Sequence, residues 1–199
     1  IDYMVDRDAL SNMADVLDSS YLGSADVAAF RLWITEFEET YQFTLRVEKA
    51  ADKFIPGHPF PELTLETPQG KLTNIPKMSL DNHVIAIWAS WCTPCRTELK
   101  GYVKSNNIND WVFLSIDGLP QQRSPLGEWY EAIVTDGLEG RTHLSDLGGS
   151  RSTIIESLGI RELPVYFKVT NGIITQRATS IHISALSYTE YIGIRGKPR

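Results

Sequence analysis

The sequence predicts an α/β domain built on a mixed β-sheet and preceded by a helical segment. Three observations predict it. Between residues 63 and 177, short apolar or alternating runs take turns with stretches of helical character, the pattern of strands joined by helices. Two of the runs, Val84 to Trp88 and Trp111 to Asp117, are almost continuously apolar, as expected of strands buried on both faces and paired in parallel. The last two, Val165 to Val169 and Ile173 to Arg177, flank Asn171-Gly172, a turn that makes them an antiparallel hairpin.

The elements follow in order. Asp2 to Ser19 carries Met4, Val5, Leu10, Met13, Val16 and Leu17 near helical spacing, and Ser19 to Gly23 breaks that pattern. Ser24 is a candidate cap for a long helix through about Ala51, on which Val27, Phe30, Ile34, Phe37, Tyr41 and Leu45 form a stripe. The plain reading packs that stripe on a neighbour, and the sharper one makes it a docking or dimerisation surface. Phe54 to Pro61 reads as a Pro-rich linker and the best domain boundary. Leu63 to Glu66 and Lys71 to Ile75 form a hairpin candidate around Thr67-Pro68-Gln69-Gly70. His83 to Trp88 is a strand, Thr93 to about Ser105 a helix, and Trp111 to Asp117 a central strand. Gly127 to Thr135 reads as a short helix with Trp129, Ile133 and Val134 on one side, and Arg141 to Asp146 as a short strand. Ser150 to Leu158 is a helix, capped by Ser150 and ended by Gly159. Ser184 to Ile192 is a weak final helix, and no internal repeat is present.

Composition narrows the function classes. The chain has 199 residues, 42% of them hydrophobic, enough for one large domain or one domain with an appendage. A net charge of −6 with scattered basic residues gives no electrostatic case for nucleic acid. No run of about 18 apolar residues is present, so nothing in the sequence spans a membrane as a helix. No signal peptide is visible, and the sequence begins at Ile1.

The chemistry concentrates at Trp88-Ala89-Ser90-Trp91-Cys92-Thr93-Pro94-Cys95-Arg96-Thr97-Glu98. After the apolar strand, Cys92 falls at a helix N-terminus, where unpaired N–H groups and the helix dipole favour a thiolate. Cys95 lies one turn further in, within reach for a small disulfide ring. Pro94 suits a first helical turn. Half of a zinc site has the same Cys-x-x-Cys spacing, but the chain has no further cysteine, and His58, His83, His143 and His182 make no ligand pair. Asp117 and Asp146 end strands, where turn hydrogen bonding explains them.

This stretch resembles the active site of the thioredoxin superfamily, and its fuller pattern is most similar to the TlpA/ResA-like thiol-disulfide oxidoreductases. Gly159 to Phe167 resembles the family segment that carries a cis-proline before a strand. The resemblance covers about residues 54 to 193. It implies a thioredoxin-like domain over 54–199, and residues 1 to 50, which lie outside it, read as helical from their periodicity and give a helical segment over 1–53. The resemblance also implies Cys92 as attacking nucleophile and Cys95 as the thiol that resolves the mixed disulfide. Trp91, Thr93, Pro94, Leu163 and Pro164 become the substrate-binding set. Pro164 alone would read as a strand-start proline, since only about one X–Pro bond in twenty is cis, and the resemblance reverses that. Glu98 is implied as a proton acceptor for Cys95 or a tuner of Cys92, with a solvated helix carboxylate equally open. Thioredoxins keep an aspartate where this chain has Ala86 and a lysine near Phe113; both departures point to the TlpA/ResA-like group.

The implied activity is reduction of protein disulfides by a Cys92/Cys95 cycle. No cofactor beyond that dithiol is expected, and an upstream thiol donor must recharge it. The implied setting is bacterial and periplasmic or otherwise extracytoplasmic, with anchoring through an upstream segment. Two rivals stand beside it: a copper-, zinc- or protein-binding module without turnover, and a peroxidase. The peroxidase would need a threonine three residues before the cysteine, where this chain has Ala89.

Overall fold

A computed structural model of the chain describes residues 12–13, 24–51, 56–75, 80, 82–105 and 110–179. The expected helix over 184–192, most of the one over 2–19, and the expected boundary between residues 53 and 54 lie outside them. The chain divides into two compact units, Ile1–Leu45 and Arg46–Arg199. The division falls inside the long helix α1, Ser24–Ala51.

Within the first unit α1 buries Val27 and half-buries Phe30, Ile34 and Tyr41 of the expected stripe, while Phe37 stays 38% exposed. Trp33, which is off that stripe, stacks between Phe30 and Phe37 at ring-centroid distances of 5.9 and 5.6 Å. The spacings of three and four along one helix face bring those rings together.

The second unit is a seven-stranded mixed sheet of order β2-β1-β5-β4-β3-β6-β7. β1 (Thr64–Glu66) and β2 (Leu72–Asn74) are the expected hairpin at one edge. β3 (His83–Trp88), β4 (Trp111–Ser115) and β5 (Thr142–Ser145) run parallel to one another. Helix α2 (Thr93–Ser105) connects β3 to β4, and α3 (Pro125–Thr135) connects β4 to β5. A 3₁₀ turn (Gly149–Arg151) and α4 (Thr153–Leu158) precede β6 (Val165–Thr170), which is antiparallel to β3. β7 (Ile173–Ala178) closes the hairpin. Asn171 and Gly172 both have positive φ, 52° and 74°, as a tight turn matched to strand twist requires.

The pairing register aligns Ala86, Phe113, His143 and Tyr166 across one face of the sheet. α2 covers that face, with Tyr102 against Trp111 at 5.2 Å. β4 is buried at every position, which explains its nearly continuous apolar run.

Three expectations need correction. Residues 56–60 are not a free linker: Gly57 N–H and Phe60 N–H donate to the Ile174 and Gly172 carbonyls, and Ile174 N–H donates to the His58 carbonyl, all at 2.8 Å. This segment extends the sheet beyond β7, where its prolines cost no ladder bond. Val134 is 42% exposed, and Ala132 joins Trp129 and Ile133 in the core instead. The cap of α4 is Ser152, whose buried hydroxyl accepts from Ile154 N–H at 3.1 Å, while Ser150 is exposed within the 3₁₀ turn.

Candidate active site

The cysteine pair stands where β3 ends and α2 begins. Cys92 N–H donates to the Ala89 carbonyl at 3.1 Å, closing a turn, and the Cys92 carbonyl accepts the first bond of α2 from Arg96 N–H at 3.0 Å. Cys92 is therefore the N-cap residue. Its sulfur fills the place of a capping oxygen, with Cys95 N–H pointing at Sγ from 3.3 Å. An N–H aimed at the sulfur and the positive helix end both favour negative charge there. Cys92 and Cys95 form a disulfide with their Cα atoms 5.3 Å apart. Cys92 is 6% exposed and Cys95 is fully buried, so only Cys92 meets an incoming molecule.

Cys92 lies at a cavity of about 450 Å³. Trp91, Thr93, Pro94 and Leu163 line it together with Cys92. The Leu163–Pro164 peptide is cis, and Pro164 is buried. The structure thus brings four of the five substrate-binding candidates to one cavity, and the fifth, Pro164, follows Leu163 directly in the chain. Ile116, Ile155, Ile160, Arg161 and Glu162 complete the wall; sequence reading did not single them out. Trp91 is 42% exposed, a large apolar side chain at the mouth.

Glu98 is half-buried on α2 and is not part of the cavity lining. It faces Tyr166: burial first, and then the Glu98 charge, push the Tyr166 phenol far above its ordinary range. That hydroxyl is buried with no hydrogen-bond partner among the described residues.

Two polar networks hold the loop in front of Cys92, and Asp117 and Arg96 organise them. Asp117, explained from the sequence by turn hydrogen bonding at a strand end, is fully buried. Its carboxylate accepts from Ser90 N–H at 3.0 Å, from the Ser90 and Ser115 hydroxyls, and from Gln122 Nε2 at 2.6 Å. Gln122 also donates to Glu128 at 3.2 Å. Backbone N–H of Ser124, and then Gln122, hold the Glu128 carboxyl below the usual carboxylate range. On the other side Arg96 forks onto the buried Asp136 at 2.7 and 2.9 Å and reaches the Ser90 carbonyl at 3.4 Å. Lys100 adds a bond to Asp136 at 2.8 Å. Burial pushes the Asp136 carboxyl up, but the bonds from Arg96 and Lys100 outweigh it and leave it lowered. Every backbone polar group of Ser90, and its hydroxyl, is thereby engaged. The nearest sequence signal was a Ser-Ile-Asp at the end of an apolar strand, which also marks ordinary turns.

His143, expected to lack a partner, packs on Phe113 with ring centroids 4.9 Å apart, and its Nε2 donates to the Leu138 carbonyl at 2.8 Å. Burial lowers its pKa to about 4. Among the described residues, no group of three or more His, Cys, Asp or Glu side chains is placed to hold a metal.

No protein-family model matches the chain, and no curated protein sequence matches it. Solved structures do. The C-terminal domain of a protein assigned as a thiol-disulfide oxidoreductase from Bacteroides thetaiotaomicron superposes with a TM-score of 0.54 at 18% identity, covering 71% of this chain and 96% of that one. A thiol-disulfide oxidoreductase from Bacteroides fragilis superposes with a TM-score of 0.50 at 24% identity, covering 68% of this chain and 98% of its own. The fold is thioredoxin-like. In this thioredoxin-like chain the position facing the cysteine helix from β3 is Ala86, fully buried beside Phe113 and Tyr166 in the ladder. No helix among the described residues is long and apolar enough to cross a membrane.

Proposed function

We propose that the chain is a TlpA/ResA-like thiol-disulfide oxidoreductase that reduces protein disulfides. The observation that carries this is the placement of the Cys92 sulfur: it caps a helix N-terminus at the mouth of an apolar cavity, with Cys95 buried directly behind it. In the reduced form the Cys92 thiolate attacks one sulfur of a substrate disulfide, forming a mixed disulfide and expelling the other substrate sulfur as a thiolate. Cys95 loses its proton and attacks Cys92 Sγ, the mixed disulfide breaks, and the substrate leaves as a dithiol. Two electrons and two protons pass from the Cys92/Cys95 pair to the substrate. Glu98 is the proton acceptor we assign to Cys95. Trp91, Thr93, Pro94, Leu163 and Pro164 receive the substrate segment, whose backbone runs alongside Leu163.

The names of the two thioredoxin-like neighbours agree with this reading. We place the reaction in a periplasmic or extracytoplasmic setting of a bacterium, with a separate thiol donor that returns the pair to its reduced form and no cofactor beyond the dithiol. The test is equilibration in glutathione and dithiothreitol buffers. A potential near about −270 mV supports a reductase, and one near about −120 mV reverses the direction of flow. Cys92→Ser is expected to abolish disulfide reduction, and Cys95→Ser to trap the mixed disulfide. A pair that never closes under oxidising buffer overturns the reading in favour of a binding module.

A further inference from the structure

We infer that Asp117 is a positioning residue for the cysteine pair: its buried carboxylate, clamped onto Ser90, biases the pair toward the disulfide form and so toward giving electrons away. This rests on the oxidoreductase reading above and adds the direction of flow, which the cysteine motif alone leaves open.

The partners of Asp117 suit an acceptor. Ser90 N–H, Ser90 Oγ, Ser115 Oγ and Gln122 Nε2 all donate to it. A carboxylate is an acceptor only, and it suits the Ser90 N–H and the Gln122 amide, which can only donate, while the two serine hydroxyls turn their hydrogens to it. The residue is completely buried. Among the described residues no Lys, Arg or His forms an ion pair with it, because Arg96 spends its fork on Asp136 and reaches only the Ser90 carbonyl. A buried carboxylate, hydrogen-bonded by neutral donors and within the field of the Arg96 charge, therefore lies behind the loop that carries Cys92.

Two placements tie that charge to the sulfur. Ser90, bonded to it twice, is two residues from Cys92, and Ile116, its chain neighbour, lines the same cavity as Cys92. A second negative charge at Cys92 is disfavoured by the first, the more so out of water. The thiolate exists only in the reduced state, so disfavouring it favours the disulfide and makes the pair a stronger reductant. The other groups around Cys92 set the balance. The α2 N-terminus with Cys95 N–H, and Arg96 on α2, favour the thiolate. Arg161 and Glu162 oppose each other at the cavity wall, Glu98 lies further along α2, and Glu128 of α3 acts through Gln122. The clamp also gives the carboxylate a geometric role, holding Ser90 so that Cys92 keeps its capping position.

Sign separates charge from geometry. In the full chain, Asp117→Asn is expected to lower the Cys92 pKa by about one unit, read by thiolate absorbance. That is about a tenfold change in the thiol equilibrium, and it makes the potential less negative by about 30 mV. If the carboxylate only held the loop, the same variant would free Cys92 from the helix end and raise its pKa; a rise or no change overturns the inference. The intact protein supplies a second measurement should the variant fail to fold. In the reduced form, the Asp117 carboxyl carbon resonance is expected to move across the pH range in which Cys92 ionises, since coupling between two sites is reciprocal. A flat response overturns the inference as well. Neither measurement needs a substrate. A wild-type pair that does not cycle in redox buffers defeats the oxidoreductase reading, whereas a pair that cycles but ignores Asp117 defeats this inference alone.

Discussion

Tyr166 is a fully buried aromatic on the sheet face beneath α2. Its ring packs edge-on against Trp111 at 5.9 Å, while its hydroxyl has no partner among the described residues. A buried hydroxyl left unpaired costs about 1 to 3 kcal/mol that phenylalanine does not incur, so Tyr166→Phe is expected to stabilise the fold by about 1 kcal/mol in urea unfolding. A loss of stability instead would mean the hydroxyl is bonded in solution. At this scale the cysteine chemistry was legible because it is local: Cys92, Thr93, Pro94 and Cys95 are neighbours in sequence, and their roles follow from one helix end. Asp117 was not legible, because its meaning comes from Ser90, 27 residues earlier, and a strand-ending aspartate reads the same with or without that partner. Ile116, Ile155 and Ile160 were hidden for a related reason. An isoleucine that lines a cavity cannot be told by type from one that fills the core.

At the scale of elements the strands and helices follow their apolar periodicities, and the differences arise where tertiary bonds move a boundary. The start of α4 is the clearest case. Ser150 and Ser152 are equal candidates for a cap by residue type. Asp146 decides between them: it accepts from Gly148 N–H at 3.0 Å and from the Thr153 hydroxyl at 2.7 Å, which tightens residues 149–151 into a 3₁₀ turn and starts the helix at Thr153. Ser152→Ala is therefore expected to cost about 1 kcal/mol, and Ser150→Ala less than about 0.5 kcal/mol, in matched thermal and urea unfolding. Equal costs would restore Ser150 as the cap. The far end of α4 shows the same dependence on its surroundings. Gly159 has φ 61°, and a Cβ there would meet Ala51 backbone N at 2.1 Å. The glycine thus serves both as a left-handed helix stop and as the point where the last turn of α1 touches the sheet domain.

For the whole molecule, the alternation of strands and helices made the mixed sheet legible, but not its strand order, because pairing between distant strands leaves no periodic trace. That order places β5 beside β4 and so puts His143 on the face that also carries Phe113 and Trp88. The placement makes fold stability depend on pH. Burial lowers the His143 pKa to about 4, against 6.5 for the free side chain. Below pH 6.5 the unfolded chain therefore takes up a proton that the folded chain refuses until about pH 4, and a state that binds more protons gains as pH falls. His143 thus stabilises the fold fully above pH 6.5 and loses that contribution between about 6.5 and 4. Asp136 works in a lower window: its folded pKa lies below 3.8, so its contribution is complete above 3.8 and disappears only below that value. Urea unfolding at pH 7.5 and pH 4.5 is expected to show a loss of about 2 to 3 kcal/mol from the histidine alone. His143→Gln keeps an amide N–H for the Leu138 carbonyl and has no proton to gain, so it is expected to be less stable at pH 7.5 yet to lose that much less on acidification. An equal acid loss in both proteins would show that His143 is not held neutral in the fold, and that the ring between Phe113 and Trp88 reaches solvent.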